Sequence, residues 1–313
     1  MSPLAWLLLP ALAGGAAFAA WQLASGSGGT PDAVAAKPKP HPRAVVRVVA
    51  PKPVAKPAAS LAVTQPLLHA KSPIGARAGI VIDAATGAVI WERRPHLRLP
   101  IASTTKILTA ILALEHLRAD DVVKVDPSVP RVAPYREGLR AGEKVQAWKL
   151  LYSLLLYSGN DDALALAIAS AGSRPAFLRE MNEEAHRLGM EDSHFTSPSG
   201  VIDKGNYSTA WDMALLSRYA MRNARFRAIV RTRVKHVPWA APTYGKIYVN
   251  HNHLLGSYRG ADGVKTGWTT LAKHCLVASA TRGGAQLIAV VLGSPDADTD
   301  ARRLLTMGFS SRG

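Results

Sequence analysis

From about residue 76 onward the sequence predicts an α/β chain of the α+β type, an antiparallel sheet flanked by helices. Three observations predict it: two short apolar runs around a tight turn, then several apolar helical stretches, then three strand-like runs in succession. Strands and helices segregate instead of alternating. That excludes a βαβ parallel sheet and calls for antiparallel pairing with helices packed against it.

Gly79-Ile80-Val81-Ile82-Asp83 and Ala88-Val89-Ile90-Trp91-Glu92 read as the leading hairpin, turning at Ala85-Thr86-Gly87. Ile101 to Leu117 reads as a helix, apolar at Ile107, Ile111 and Leu114 and on nearly every other face. Such a helix belongs in the core. A second apolar helix, Trp148 to Tyr157, is expected to stop near Gly159, a typical C-terminal glycine. A third, about Asp162 to Ala171, opens with acidic residues suited to a helix N-terminus. Thr209-x-x-Asp212 is a variant capping box opening a helix through about Asn223. Val264 to Thr269, His274 to Thr281 and Gln286 to Leu292 are the closing strands, the last two joined by Arg282-Gly283-Gly284-Ala285.

Composition bounds the rest. The 313 residues are 48% hydrophobic and 19% charged, which excludes wholesale disorder, collagen and a multi-span membrane protein. Cys275 is the single cysteine, so no internal disulfide and no cysteine-cluster metal site is possible. Thirty-eight Lys and Arg against 22 Asp and Glu give +16, which argues for an anionic neighbour: nucleic acid, membrane phospholipid or acidic wall polymer. Leu4 to Leu23 is almost wholly apolar, so residues 1–24 are expected to be an export segment. It is either a signal peptide, with Ala17 and Ala19 resembling a cleavage site, or a retained membrane anchor. Residues 25–75 are a Pro/Ala/Lys-rich linker whose Lys37-Pro38-Lys39-Pro40 favours extended polyproline II. This stiff basic spacer would lift the 76–313 domain off a surface and offer contact with anionic polymer or membrane. An exported chain of this kind, with no nucleic-acid motif, is not expected to bind nucleic acid.

Three short motifs carry chemistry. In Ser103-Thr104-Thr105-Lys106 the hydroxyl and the amine stand three apart, on one helical face. An amine can take the serine proton if burial and nearby charge lower its pKa. In Ser158-Gly159-Asn160, Ser158 offers a proton relay and Asn160 an amide to grip substrate or Lys106. In Lys265-Thr266-Gly267, a cation and a hydroxyl on a strand suit a peptide carboxylate, and Gly267 lets backbone approach closely. Each motif alone is common, and the ordered set is not. His251-x-His253 could suggest a metal pair on a strand, but no further ligand is evident, and no metal or cofactor is called for.

The ordered trio is that of β-lactamases and penicillin-binding proteins. From about Ala76 to Phe309 the chain resembles the D-alanyl-D-alanine carboxypeptidases, the low-molecular-weight penicillin-binding proteins of serine peptidase family S11. Pro100 to Lys106, Tyr157 to Asp161, Ser197-Pro198-Ser199-Gly200, Tyr207-Ser208-Thr209 and Cys275 to Ala280 extend the likeness. The resemblance implies a β-lactamase/transpeptidase-like fold with a helical subdomain. It implies Ser103 as acylated nucleophile, Lys106 as its general base and Ser158 as proton relay. Asn160 would hold the substrate amide, Lys265 and Thr266 the terminal carboxylate, and the N–H groups of Ser103 and Trp268 the oxyanion. The implied partners are peptidoglycan stem peptides ending in D-Ala-D-Ala, with β-lactams as covalent inhibitors. The chain departs from the family at Lys273 (usually glycine), Ser197 (often asparagine) and Ala297 (an arginine in many members). The last departure weakens terminal-carboxylate recognition, so a DD-endopeptidase cutting cross-links is an alternative. A non-catalytic wall-binding module is another.

Overall fold

The structure is a computed structural model and describes residues 74–201, 205–239 and 244–311. The expected export segment and nearly all of the linker lie outside the described residues.

The sheet has five antiparallel strands. They are β1 (Ala78–Asp83), β2 (Val89–Arg93), β7 (Ala261–Thr269), β8 (Lys273–Arg282) and β9 (Ala285–Ser294), in the order β2-β1-β9-β8-β7. Alternate residues of a strand face opposite sides, and here both sides are covered. Ile80, Ile82, Val277, Ile288 and Val290 enter one apolar core with the helices of the chain's middle. Val81, Leu276, Ala278, Leu287, Ala289 and Val291 enter a second core against α7 (Ala297–Ser310). Burial on both faces is why these strands read as continuous apolar runs and show no alternation.

Between β2 and β7 the chain is mainly helical. In order come α1 (Lys106–His116), α2 (Ala147–Tyr152), α3 (Asn160–Ala171), α4 (Arg174–Arg187), α5 (Ala210–Ala220) and α6 (Ala224–Val230). Two small hairpins interrupt them: β3 (Val122–Lys124) with β4 (Lys144–Gln146), and β5 (Val234–Val237) with β6 (Lys246–Val249). Every residue of α1 from Lys106 to Leu114 is buried, as its all-round apolar character requires. The Thr209 hydroxyl accepts from the Asp212 amide, 3.0 Å, and opens α5. The Asp212 carboxylate does not close a capping box; it accepts instead from the Asp192 amide and the Ser193 hydroxyl.

Two boundaries differ from the sequence expectation, and both matter for the site. The helix expected from Ile101 begins as a 3-10 turn, Ala102–Thr105, because Ala102 is held at φ +48°, and regular α-helix starts only at Lys106. The helix expected to end on a left-handed glycine ends instead in a π-helical turn, Ser153–Tyr157, with Ser158 itself left-handed at φ +75°. Gly159 has an ordinary negative φ. It is needed for space, since a Cβ there would collide with the Asp162 carboxylate.

Candidate active site

Ser103 lies in the 3-10 turn and Lys106 is the first residue of α1. In a 3-10 turn residues i and i+3 eclipse, so the two side chains meet: Lys106 Nζ donates to Ser103 Oγ at 2.8 Å. The same nitrogen donates to Asn160 Oδ1 at 2.8 Å and to the Ser199 carbonyl at 3.1 Å. Lys106 is fully buried. Burial first, and the positive charge of Lys265 second, push its amine well below the ordinary lysine value, with Asp162 and Asp161 pulling the other way.

Asn160 is fixed from behind. Its Nδ2 donates to the Pro134 carbonyl, 2.6 Å, and its backbone N–H donates to the Tyr135 carbonyl, 2.8 Å. These bonds orient the amide so that its oxygen faces Lys106. The next residue, Asp161, ties down the same loop by accepting from the amides of Glu137, Gly138 and Leu139 at 2.7, 2.8 and 3.0 Å. Asp162 is buried and accepts from the Ser153 hydroxyl at 2.5 Å. Burial, and then the neighbouring Asp161 charge, raise its carboxyl well above the usual range. Ser158 sits on the turn before Asn160 and is 8% exposed.

The third motif arrives on β7, an edge strand bonded only to β8. Gly267 is pressed against the nucleophile turn: a Cβ there would lie 2.9 Å from Ser103 N and 3.1 Å from Ile101 O and Thr104 N. Lys265 is buried, and burial pushes its amine down to about 7. Thr266 is half-buried beside it, and Trp268 is 58% exposed on the same strand. The structure thus brings Ser103, Lys106 and Asn160 into direct contact, with Ser158 on the adjoining turn and the Lys265–Trp268 segment alongside. A hydroxyl hydrogen-bonded to a desolvated amine of lowered basicity is equipped for general-base activation and acyl transfer.

Several features were not read from the sequence. The Ser199 carbonyl is the third acceptor for Lys106, and Asn206 Nδ2 donates to Thr105 Oγ1 at 3.0 Å. A main-chain carbonyl has no residue-type signal; the Ser197–Gly200 resemblance was the sole pointer. Ser197 uses its hydroxyl to accept from the amides of Ser199 and Gly200, 3.1 and 3.2 Å, which holds that carbonyl in place. His251 and His253 lie in the turns after β6, not on a strand. His253 pairs with Asp298 at 2.9 Å, and the His251 ring packs 6.0 Å from that of Tyr157. Ala297 begins α7 and packs into the second core. Lys273 adopts φ +58°, a left-handed position where glycine is the unstrained choice.

The antiparallel sheet with its Ser–Lys pair at the edge defines a β-lactamase/transpeptidase-like fold, and comparisons narrow this further. The family profile of the D-alanyl-D-alanine carboxypeptidases matches residues 62–296. The chain is 36% identical over 273 residues to a D-alanyl-D-alanine carboxypeptidase of Streptomyces sp. K15, covering 81% of this chain and 94% of that one. It is 31% identical over 245 residues to the D-alanyl-D-alanine carboxypeptidase DacF of Bacillus subtilis, covering 75% of this chain and spanning 62% of that relative's length. A D-alanyl-D-alanine endopeptidase of Escherichia coli is 32% identical over 265 residues, 82% of this chain and 83% of that one. The crystal structure of the Streptomyces K15 DD-transpeptidase superposes with a TM-score of 0.73 at 34% identity, over 77% of this chain and 99% of that one. The chain belongs to peptidase family S11, the D-alanyl-D-alanine carboxypeptidases.

Proposed function

We propose that this peptidase is a serine-type D-Ala-D-Ala carboxypeptidase that trims peptidoglycan stem peptides through an acyl-enzyme on Ser103. The observation that carries the reading is the 2.8 Å contact between Ser103 Oγ and a buried Lys106 amine. Neutral, that amine keeps two N–H groups for Asn160 and Ser199 and turns its lone pair on the serine hydroxyl. Ser103 Oγ attacks the carbonyl of the penultimate D-alanine as its proton passes to Lys106 Nζ. The N–H groups of Ser103 and Trp268 receive the oxyanion; one such donor contributes about 2.7–4 kcal/mol in a comparable acyl-transfer site. The proton held by Lys106 passes through Ser158 to the departing D-alanine amine as the peptide C–N bond breaks. Water then attacks the acyl carbon, losing its proton to Lys106, and the ester bond to Ser103 breaks as that proton returns to Oγ. Asn160 holds the substrate amide, and Lys265 with Thr266 binds the terminal carboxylate.

Fluorescent penicillin should label the folded chain at Ser103, and mass spectrometry of a defined muropeptide mixture should show loss of one D-alanine. Folded protein that takes no label would overturn this reading. A DD-endopeptidase is the second reading, favoured by the uncharged Ala297 and the similarity to the E. coli endopeptidase. Turnover of cross-linked dimers with pentapeptide monomers left intact would establish it. The exported location and the contact of the basic linker with anionic polymer or membrane belong to the same proposal.

A further inference from the structure

Beside the Ser158–Asn160 turn is a cleft of about 540 Å³, lined by Pro130, Pro134, Tyr135, Arg136, Leu139 and Tyr157, among others. That volume is in the range of small-ligand sites. Its position ties it to the catalytic residues. The carbonyls of Pro134 and Tyr135 are the two groups that hold Asn160. Tyr157 immediately precedes Ser158, and its ring packs between those of Tyr135, 6.3 Å, and His251, 6.0 Å.

Two residues of the wall face solvent. Tyr135 is held at φ +70° with its side chain 66% exposed. A bulky residue in that region is strained, and such strain gathers at functional sites. Arg136 is also exposed, and among the described residues its guanidinium has one hydrogen bond, to the Pro130 carbonyl at 2.5 Å. The nearby carboxylates are engaged elsewhere: Asp161 with three amides, Glu137 with Lys246 and the Ser153 hydroxyl. No carboxylate pairs with Arg136 among the described residues, which leaves it most of its five N–H donors.

We infer that this cleft is an auxiliary subsite for an aliphatic side chain of the stem peptide that ends in a carboxylate, gripped by Arg136 and flanked by the rings of Tyr135 and Tyr157. It rests on the peptidase reading above and adds what that reading leaves open, which stem peptide is preferred. The carboxylate has two possible sources: the stem being cut, or a neighbouring stem joined through a cross-link.

The test uses the full chain and four substrates. The first is a diacetyl-lysyl-D-Ala-D-Ala peptide without an extra carboxylate. The second carries a 2,6-diamino dicarboxylic acid in place of lysine, the third is its side-chain amide, and the fourth is a cross-linked dimer. Charge-assisted hydrogen bonds are strong enough that Arg136→Ala should lower kcat/KM about tenfold or more on a carboxylate-bearing substrate, with less than twofold change on the first and third. Arg136→Lys should recover part of the loss. Tyr135→Asn, which tolerates the left-handed backbone and so keeps the carbonyl that holds Asn160, should fold like the parent while losing the same preference. Selective loss on the second substrate places the carboxylate on the stem being cut, and loss confined to the dimer places it on the neighbouring stem. Equal effects on all four substrates, or none, would overturn the subsite. If the variants still take penicillin label and cleave the first substrate, the catalytic reading survives that failure; a parent chain that takes no label overturns both.

Discussion

Replacing Gly267 by alanine tests the closest approach in the structure, that of β7 to the nucleophile turn. The added Cβ would stand 2.9 Å from Ser103 N and 3.1 Å from both Ile101 O and Thr104 N. All three are backbone atoms, so no side chain can swing aside. To regain ordinary contact, β7 or the turn has to retreat by about 0.5 Å, and overpacking of this kind costs about 1–3 kcal/mol. The turn cannot yield cheaply, because Ala102 is already at φ +48° and the Thr104 hydroxyl is bonded to Ile101 O at 2.6 Å. Displacing the strand moves Lys265, Thr266 and the Trp268 amide away from Ser103. Since about 1 Å of misplacement can lower a rate by ~10², half of it should slow acylation by about tenfold. The assay is the second-order rate of labelling by a fluorescent penicillin, read beside thermal unfolding of the same preparation. A Gly267→Ala protein that is labelled within twofold of the parent rate, with unchanged unfolding, would refute the claim that this contact aligns the site.

Three further outcomes follow from particular contacts. Lys265 releases its proton near pH 7 when folded and near 10.5 when unfolded. The unfolded chain therefore binds the extra proton between these values, and stability should rise with pH across that window at up to about 1.4 kcal/mol per pH unit. Lys265→Met should be more stable than the parent at pH 7 by an amount that shrinks toward pH 10.5; a pH-independent gap in urea titrations would contradict this. Lys273→Gly should raise the unfolding free energy read from urea titrations by up to about 1 kcal/mol, because it removes the left-handed strain at φ +58°. Asp161→Asn, which faces four amide donors, three of them from residues 137–139, should cost about 3 kcal/mol and hasten proteolysis between residues 130 and 140, followed by gel and mass analysis.

Much of the architecture was readable in advance where one local rule dominated. The long, nearly all-apolar stretch from Ile101 to Leu117 reads as a core helix by its length, and Arg282-Gly283-Gly284-Ala285 between two apolar runs turns a hairpin. The helices α4, α6 and α7 and the two small hairpins were not identified. The hairpins and α6 are too short to show a period, whereas α7 buries Ala297, Ala301, Leu304 and Leu305 at helical spacing that was there to be read. The motif residues were nameable, but the left-handed Ser158 was not, since a π-helical turn arises from packing and leaves no composition cue. Lys246 shows the same limit: nothing local reveals that it pairs with Glu137, 109 positions away.

By itself the sequence determined the order of elements and the chemical groups available, because propensity, periodicity and the i,i+3 spacing of Ser103 and Lys106 act over a few residues. Tertiary structure alone decided that the Lys106 amine would be dry, held by a carbonyl 93 positions away and biased by Lys265 on another strand. Desolvation and charge–charge coupling depend on what long-range packing places around a group, and no local pattern encodes that environment.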